Sequence, residues 1–183
     1  FTTPAEARGS GGFMGNWALL EADNGTIRVT ESGRHDRLDK ALTPGQLRLN
    51  GPAEWLARYG QFGFTNGPDG TINTAMWVNH TMAPDAASTG QIAAQLFAAS
   101  GGDETDGYFA LDVFTLARLI DLTGPLDTSD GTRLDRDNTT EYLLNGQYRT
   151  ADRGERVDML EEVTDTMIER LLGDTLPSPT RLF

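Results

Sequence analysis

Apolar positions along the chain come in short runs whose spacing changes between strand-like alternation and helical periodicity, with glycine, proline and acid-rich stretches between them. Asn16 to Ala22 reads as a strand, and Asp23-Asn24-Gly25 is a strong two-residue hairpin signal, because Asn-Gly tolerates the positive φ angles of a type I′ turn. Thr26 to Thr30 is the returning strand. The segment Glu31 to Leu49 is polar, poorly periodic and punctuated by Pro44-Gly45, so a long loop is expected there. Pro52 suits the first turn of a short helix through Tyr59, with Trp55, Leu56 and Tyr59 on one face. Gly60, Gly63 and Asn66-Gly67-Pro68-Asp69-Gly70 break the chain again.

Thr71 to Val78 predicts a strand, followed by a turn from Asn79 to Asp85. Ser88 or Thr89 is placed to cap a helix whose Ile92, Ala93, Leu96 and Phe97 keep helical spacing until Gly101-Gly102 stops it. Tyr108 to Leu111 reads as a buried strand, and Asp112 caps a helix with Leu116, Leu119 and Ile120 inward, ended by Thr123-Gly124-Pro125. Leu126 to Leu134 has the form of a small hairpin around Asp130-Gly131, and Asp135 or Asn138 caps a helix through Leu144. A final amphipathic helix is expected over Glu155 to Gly173, packed on the domain or on a partner, with an irregular tail from Pro177 to Phe183. The interleaving of α and β elements predicts an α/β class: a layered αβα fold around a central mixed sheet, in one domain spanning residues 1–183.

Composition narrows the functions open to such a domain. The 27 acids against 15 bases give a net charge of -12, which argues against a nucleic-acid groove and against adsorption to an anionic membrane face. Lys40 is the one lysine, and arginines supply the other bases, as expected of a high-GC genome or a mildly salt-adapted surface. The chain has no cysteine, so thiolate catalysis, cysteine-bound zinc and disulfides are excluded. No apolar run approaches the ~18 residues that a membrane span needs. Because the chain begins at Phe1, an excised domain is expected, with any membrane anchor or signal segment upstream.

Candidate chemistry concentrates in Ala5-Glu6-Ala7-Arg8-Gly9-Ser10-Gly11-Gly12-Phe13-Met14-Gly15, a charged pair followed by a glycine-rich turn. The glycines allow two uses. In one, the backbone amides around Ser10, Gly11 and Gly12 make an anion-sized concavity, and the Arg8 guanidinium binds a phosphate in bidentate fashion. In the other, they are a bend before a strand, and Arg8 pairs with Glu6 or another carboxylate. Neither the Walker pattern nor the dinucleotide spacing is present, and no G-x-S-x-G elbow supports serine catalysis. His35 and His80 are the two imidazoles. His80 with Asp85 is a candidate base and orienting carboxylate, or a pair of ligands for a divalent ion. Arg34-His35-Asp36-Arg37 is a candidate functional loop, and the acid-rich stretch from Asp127 to Asp137 fails the EF-hand spacing and reads as a turn and helix cap.

Three blocks resemble a known family. AEARGSGGFMG at Ala5 to Gly15 is similar to the N-A-E-L-R-P-T-G-G-F-I-G signature of the bacterial domain-of-unknown-function family 4012. APD at Ala83 to Asp85 resembles its S-P-D-F-P, and TDGYFALDVFTLARLIDLTGPL at Thr105 to Leu126 resembles its V-D-G-V-I-A-L-D-P-x-A-L-x-x-L-L-x-L-T-G-P-V. Pro4, Ala7, Gly9-Ser10 and Ala86-Ala87 depart from that pattern. The resemblance implies a membrane-anchored, extracytoplasmic protein of the Gram-positive cell envelope. More remotely, the order of elements resembles the LytR-CpsA-Psr phosphotransferases, which move glycopolymers from polyprenyl-pyrophosphate carriers. Arg8, the Asn24-Gly25 hairpin and the Thr123-Gly124-Pro125 turn occupy comparable places. The S-x-P-R-D block of those enzymes has no clear counterpart, Arg34 and Asp36 being the nearest residues.

Two functions are therefore expected as alternatives. In the first, the domain binds, or binds and transfers, a phosphorylated lipid-linked envelope precursor. Arg8 and the Gly11-Gly12 amides clamp the phosphate, with Ser10, Arg34 and His80 lining the site, and Asp85 holds a divalent cation such as Mg2+. In the second, a non-catalytic envelope module of the same fold binds a protein or glycan partner, and Arg8 serves an internal ion pair.

Overall fold

The computed structural model describes residues 2–3, 8–43, 46–66, 72–146, 149 and 153–172. The expected breaks at Pro44-Gly45 and Gly67 to Gly70, the stop at Gly173 and the tail lie outside the described residues, as does Glu6. In chain order the strands and helices are β1 (Thr2–Thr3), β2 (Phe13–Met14), β3 (Asn16–Asp23), β4 (Thr26–Arg34), α1 (His35–Ala41), α2 (Ala53–Tyr59), β5 (Phe64–Asn66) and β6 (Ile72–Thr74). They continue as α3 (Met76–Asn79), α4 (Ala86–Ala99), α5 (Val113–Thr123), β7 (Leu126–Asp127), β8 (Arg133–Leu134), α6 (Thr139–Glu141) and α7 (Arg153–Leu172). The chain is thus mixed α/β. Its described strands pair two by two, as β1–β2, β3–β4, β5–β6 and β7–β8, and not in the central mixed sheet that the interleaving predicts. The physical reason is that one expected strand is cut short after β6 and another does not form. Residues 76–79 turn into α3, and Tyr108 to Leu111 has no ladder partner among the described residues.

The chain divides into two compact units. One holds Asn16–Gly33 together with the chain from Leu111 onward; the other holds Thr2–Gly15 and Arg34–Ala110. In the first unit β3 and β4 form a hairpin turned by Asn24 (φ 49) and Gly25 (φ 84), the two positive angles that a type I′ turn requires. Its core gathers Val113, Leu116 and Ile120 of α5, Leu126 and Leu134 of the β7–β8 ribbon, Leu143, and Met159, Val163 and Met167 of α7. Full burial of side chains of this size contributes about 1.5–3 kcal/mol each. Helix α5 begins as the sequence predicts, with the Asp112 carboxylate accepting from the Thr115 amide and hydroxyl, both at 2.8 Å. At its other end Gly124 has φ 93, and Arg170 of α7 donates to the carbonyls of Gly124 and Pro125, at 2.9 Å each. A cation thereby meets the carbonyl end of the helix.

The second unit contains the element that the sequence pattern misses. Within the expected loop from Glu31 to Leu49, strand β4 continues to Arg34 and helix α1 follows, burying Leu38 and, just beyond its end, Leu42. The Asp39 carboxylate accepts from the Trp77 amide at 3.2 Å, and the Asp39 carbonyl accepts from the Thr74 hydroxyl at 2.7 Å. Those bonds help turn residues 76–79 into a helix and bury Met76 and Trp77, which corrects the strand expected through Val78. Burial raises the Asp39 pKa above the usual carboxylate range, against the hydrogen bond from Trp77. Helix α4 is capped by Asp85, whose side chain accepts from the Ser88 amide at 2.8 Å, and not by Ser88 or Thr89. Ile92 and Leu96 are wholly buried along it.

Candidate functional site

The glycine-rich turn and the segment from Asn79 to Thr89, some seventy residues on in sequence, are built against each other within the second unit. Gly9 lies so close to the later segment that a Cβ there would stand 2.5 Å from the Met82 carbonyl oxygen and 2.6 Å from the Pro84 nitrogen. Only a residue without a side chain fits that approach. The Ser10 amide donates to the Thr81 carbonyl at 2.9 Å, and the Ser10 hydroxyl donates to the Ala83 carbonyl and lies 3.1 Å from the Thr89 hydroxyl. The Thr81 hydroxyl, fully buried, donates to the Gly12 carbonyl at 2.8 Å. Arg8 Nη2 donates to Asn79 Oδ1 at 3.1 Å, and the Asn79 amide nitrogen in turn donates to the Phe62 carbonyl at 2.7 Å.

Gly11 (φ 90) and Gly12 (φ 122) both adopt angles that other residues rarely take. Their conformation reverses the chain ahead of β2, and the Gly11 amide closes the turn on the Arg8 carbonyl at 3.3 Å. The expected concavity of bare amides is corrected on this point: the Ser10 and Gly11 amides are both spent inside the fold.

His80 is buried completely. Its Nδ1 donates to the Trp77 carbonyl at 2.7 Å, which leaves Nε2 to accept from the Tyr108 hydroxyl at 3.2 Å, so the ring is the neutral Nδ1–H tautomer. Burial pushes its pKa down to about 4, against the Trp77 hydrogen bond, and desolvation pushes the Tyr108 phenol up to about 12. A base this weak and this enclosed is a packing element between Trp77 and Tyr108, whose rings both meet it edge to face. The expected pairing of His80 with Asp85 is not among its contacts.

Asp85 is exposed, and its hydrogen bonds with Ser88 hold its carboxyl below the usual range. One oxygen of that carboxylate, Oδ2, caps α4 by accepting from the Ser88 amide. Among the described residues, no group of three or more His, Asp or Glu side chains is assembled that could hold a metal ion. Arg34 stands at the entry to α1 with its Nε 3.9 Å from Asp36, while His35 beside it donates its amide to the Gly15 carbonyl at 3.0 Å and sets its ring edge to face on Phe13.

The structure therefore brings together Arg8, Ser10, Gly12 and His80's neighbours, and adds Asn79, Thr81, Thr89 and Tyr108, to which pattern reasoning gave no role in the site. The available signal was the polar run Asn79-His80-Thr81 in an otherwise apolar stretch. The block at Ala5 to Gly15 touches that at Ala83 to Asp85 through Ser10 on Ala83, and the block at Thr105 to Leu126 reaches His80, just ahead of the second block, through Tyr108. No curated protein and no solved structure matches the chain. The sequence model of DUF4012, a protein family of unknown function, matches residues 1–148, which takes in all three blocks. The chain belongs to the DUF4012 family.

Proposed function

We propose that this chain is a non-catalytic module of the cell envelope that binds a protein or glycan partner, placed outside the cytoplasm by an anchor upstream of Phe1. The observation that supports this reading is the commitment of the candidate catalytic groups to the fold. The Ser10 and Gly11 amides, the Ser10 hydroxyl, both His80 nitrogens and the Asp85 carboxylate all have intrachain partners. A transferase needs such donors aimed at a developing charge. Among the described residues, no helix is long and apolar enough to cross a membrane.

A second reading, binding of a phosphorylated polyprenyl-linked glycopolymer precursor on a LytR-CpsA-Psr-like architecture, draws support from the position of Arg8, whose Nη2 is held on Asn79 Oδ1 at 3.1 Å beside the glycine-rich turn. Calorimetric titration with geranyl pyrophosphate, with and without Mg2+, separates the two. On the first reading wild type and Arg8→Ala give the same weak or undetectable binding and no pyrophosphate is released. A loss of affinity of about tenfold in Arg8→Ala, the size expected for a charge-assisted bond to phosphate, would establish the second.

A further inference from the structure

We propose that residues Asp103–Ala110 form a docking edge for an extended segment of a partner protein carrying lysine or arginine beside apolar residues. The inference rests on the reading of the chain as a binding module and names the place and the chemistry. Three observations carry it. From Asp103 to Ala110 no backbone group makes a backbone hydrogen bond among the described residues, and beyond the bend at Asp106 the run from Gly107 to Ala110 leaves its donors and acceptors open for an added strand. In the middle of this stretch Tyr108 is held inward, its hydroxyl on His80 Nε2 at 3.2 Å and its ring over Gly90. The next residue, Phe109, is 84% exposed, an unusual position for a large apolar ring. The segment is thus pinned at one side chain while its neighbour is presented to solvent.

Charge selects the occupant. Asp103, Glu104 and Asp106 are exposed and make no ion pair or side-chain hydrogen bond among the described residues. A cationic segment gains from them, whereas a second copy of a chain with net charge -12 is repelled. Pairing with the open backbone would lay the partner across Phe109 and set its basic side chains against the three carboxylates.

The test uses the full chain and an alternating lysine–valine octapeptide, with the glutamate–valine octapeptide as control. Affinity is read by calorimetry and backbone pairing by hydrogen exchange. The lysine peptide is expected to bind, to slow exchange within 103–110, and to lose about tenfold or more in affinity with Phe109→Ser, as burial of a phenyl ring implies. Neutralising Asp103, Glu104 and Asp106 to Asn, Gln and Asn should weaken binding and flatten its salt dependence, while Phe114→Ser, at a ring that is 53% exposed outside this segment, should change nothing. Equal binding by Phe109→Ser, equal binding of the two peptides, or protection elsewhere than 103–110 would each overturn the proposal. Failure of the peptide alone removes this edge, whereas Arg8-dependent binding of geranyl pyrophosphate removes the reading on which it rests.

Discussion

Replacing Gly9 by alanine tests whether the glycine-rich turn is a clasp on the later segment. The new methyl carbon would stand 2.5 Å from the Met82 oxygen, 2.6 Å from the Pro84 nitrogen and 2.7 Å from the Ala83 carbonyl carbon. All three are backbone atoms, so no side chain can swing away. Restoring ordinary contact moves the two segments apart by about 0.8 Å, which costs about 1–3 kcal/mol as overpacking. The same movement stretches the bonds from the Ser10 amide to Thr81 and from the Ser10 hydroxyl to Ala83, worth about 1 kcal/mol each. A loss of about 2–4 kcal/mol is expected, or roughly 6–12 °C in Tm for a chain of this length. Urea unfolding followed by tryptophan fluorescence suits the measurement, because Trp55 and Trp77 are buried in the same unit. Gly60→Ala is the control. Gly60 has helical angles (φ -56, ψ -32) and open space where a Cβ would stand, so that variant should gain about 0.5–1 kcal/mol. If Gly9→Ala unfolds within about 0.5 kcal/mol of wild type, the clasp is not there.

Two further perturbations probe the buried polar groups. His80 takes a proton near pH 6.5 in the unfolded chain and near 4 in the folded one, so the unfolded chain binds more protons between those values and stability falls as pH drops through that window, by about 3 kcal/mol in all. Unfolding free energies measured from pH 7 to pH 4 should show this slope in wild type and lose it in His80→Gln; parallel curves would contradict it. The Thr164 hydroxyl on α7 is buried with no hydrogen-bond partner among the described residues, so Thr164→Val, which keeps the shape, should stabilise by about 1 kcal/mol in urea unfolding, and a destabilised variant would show that the hydroxyl is satisfied.

What the sequence made legible was whatever local chemistry decides. The Asn24-Gly25 turn, the Asp112 cap, the Gly124 stop and the part of the α7 stripe at Val163, Met167 and Ile168 each need only a few neighbouring residues to be recognised, and each forms as expected. Helix α1 was hidden because its seven residues include few apolar positions and its value lies at a distance, where Asp39 receives the amide of Trp77. The same bond explains the misread strand at 76–78. Tyr108 looked like strand because apolar runs of that length are ambiguous, and its fate was decided by a ring contact with His80. At the candidate site the glycines were visible but their purpose was not. Gly11 and Gly12 answer to backbone angle, whereas Gly9 answers to the backbone of Met82 to Pro84, which no local pattern encodes.

The account rests on the Ser10 and Gly11 amides serving the fold and not a ligand. Their resonances in a two-dimensional NMR titration with geranyl pyrophosphate give the most direct test. Both amides are expected to exchange slowly with solvent and to stay in place as the pyrophosphate is added. Rapid exchange in the free protein, followed by large saturable shifts of these two signals on addition of the ligand, would contradict it and restore the turn as an anion site.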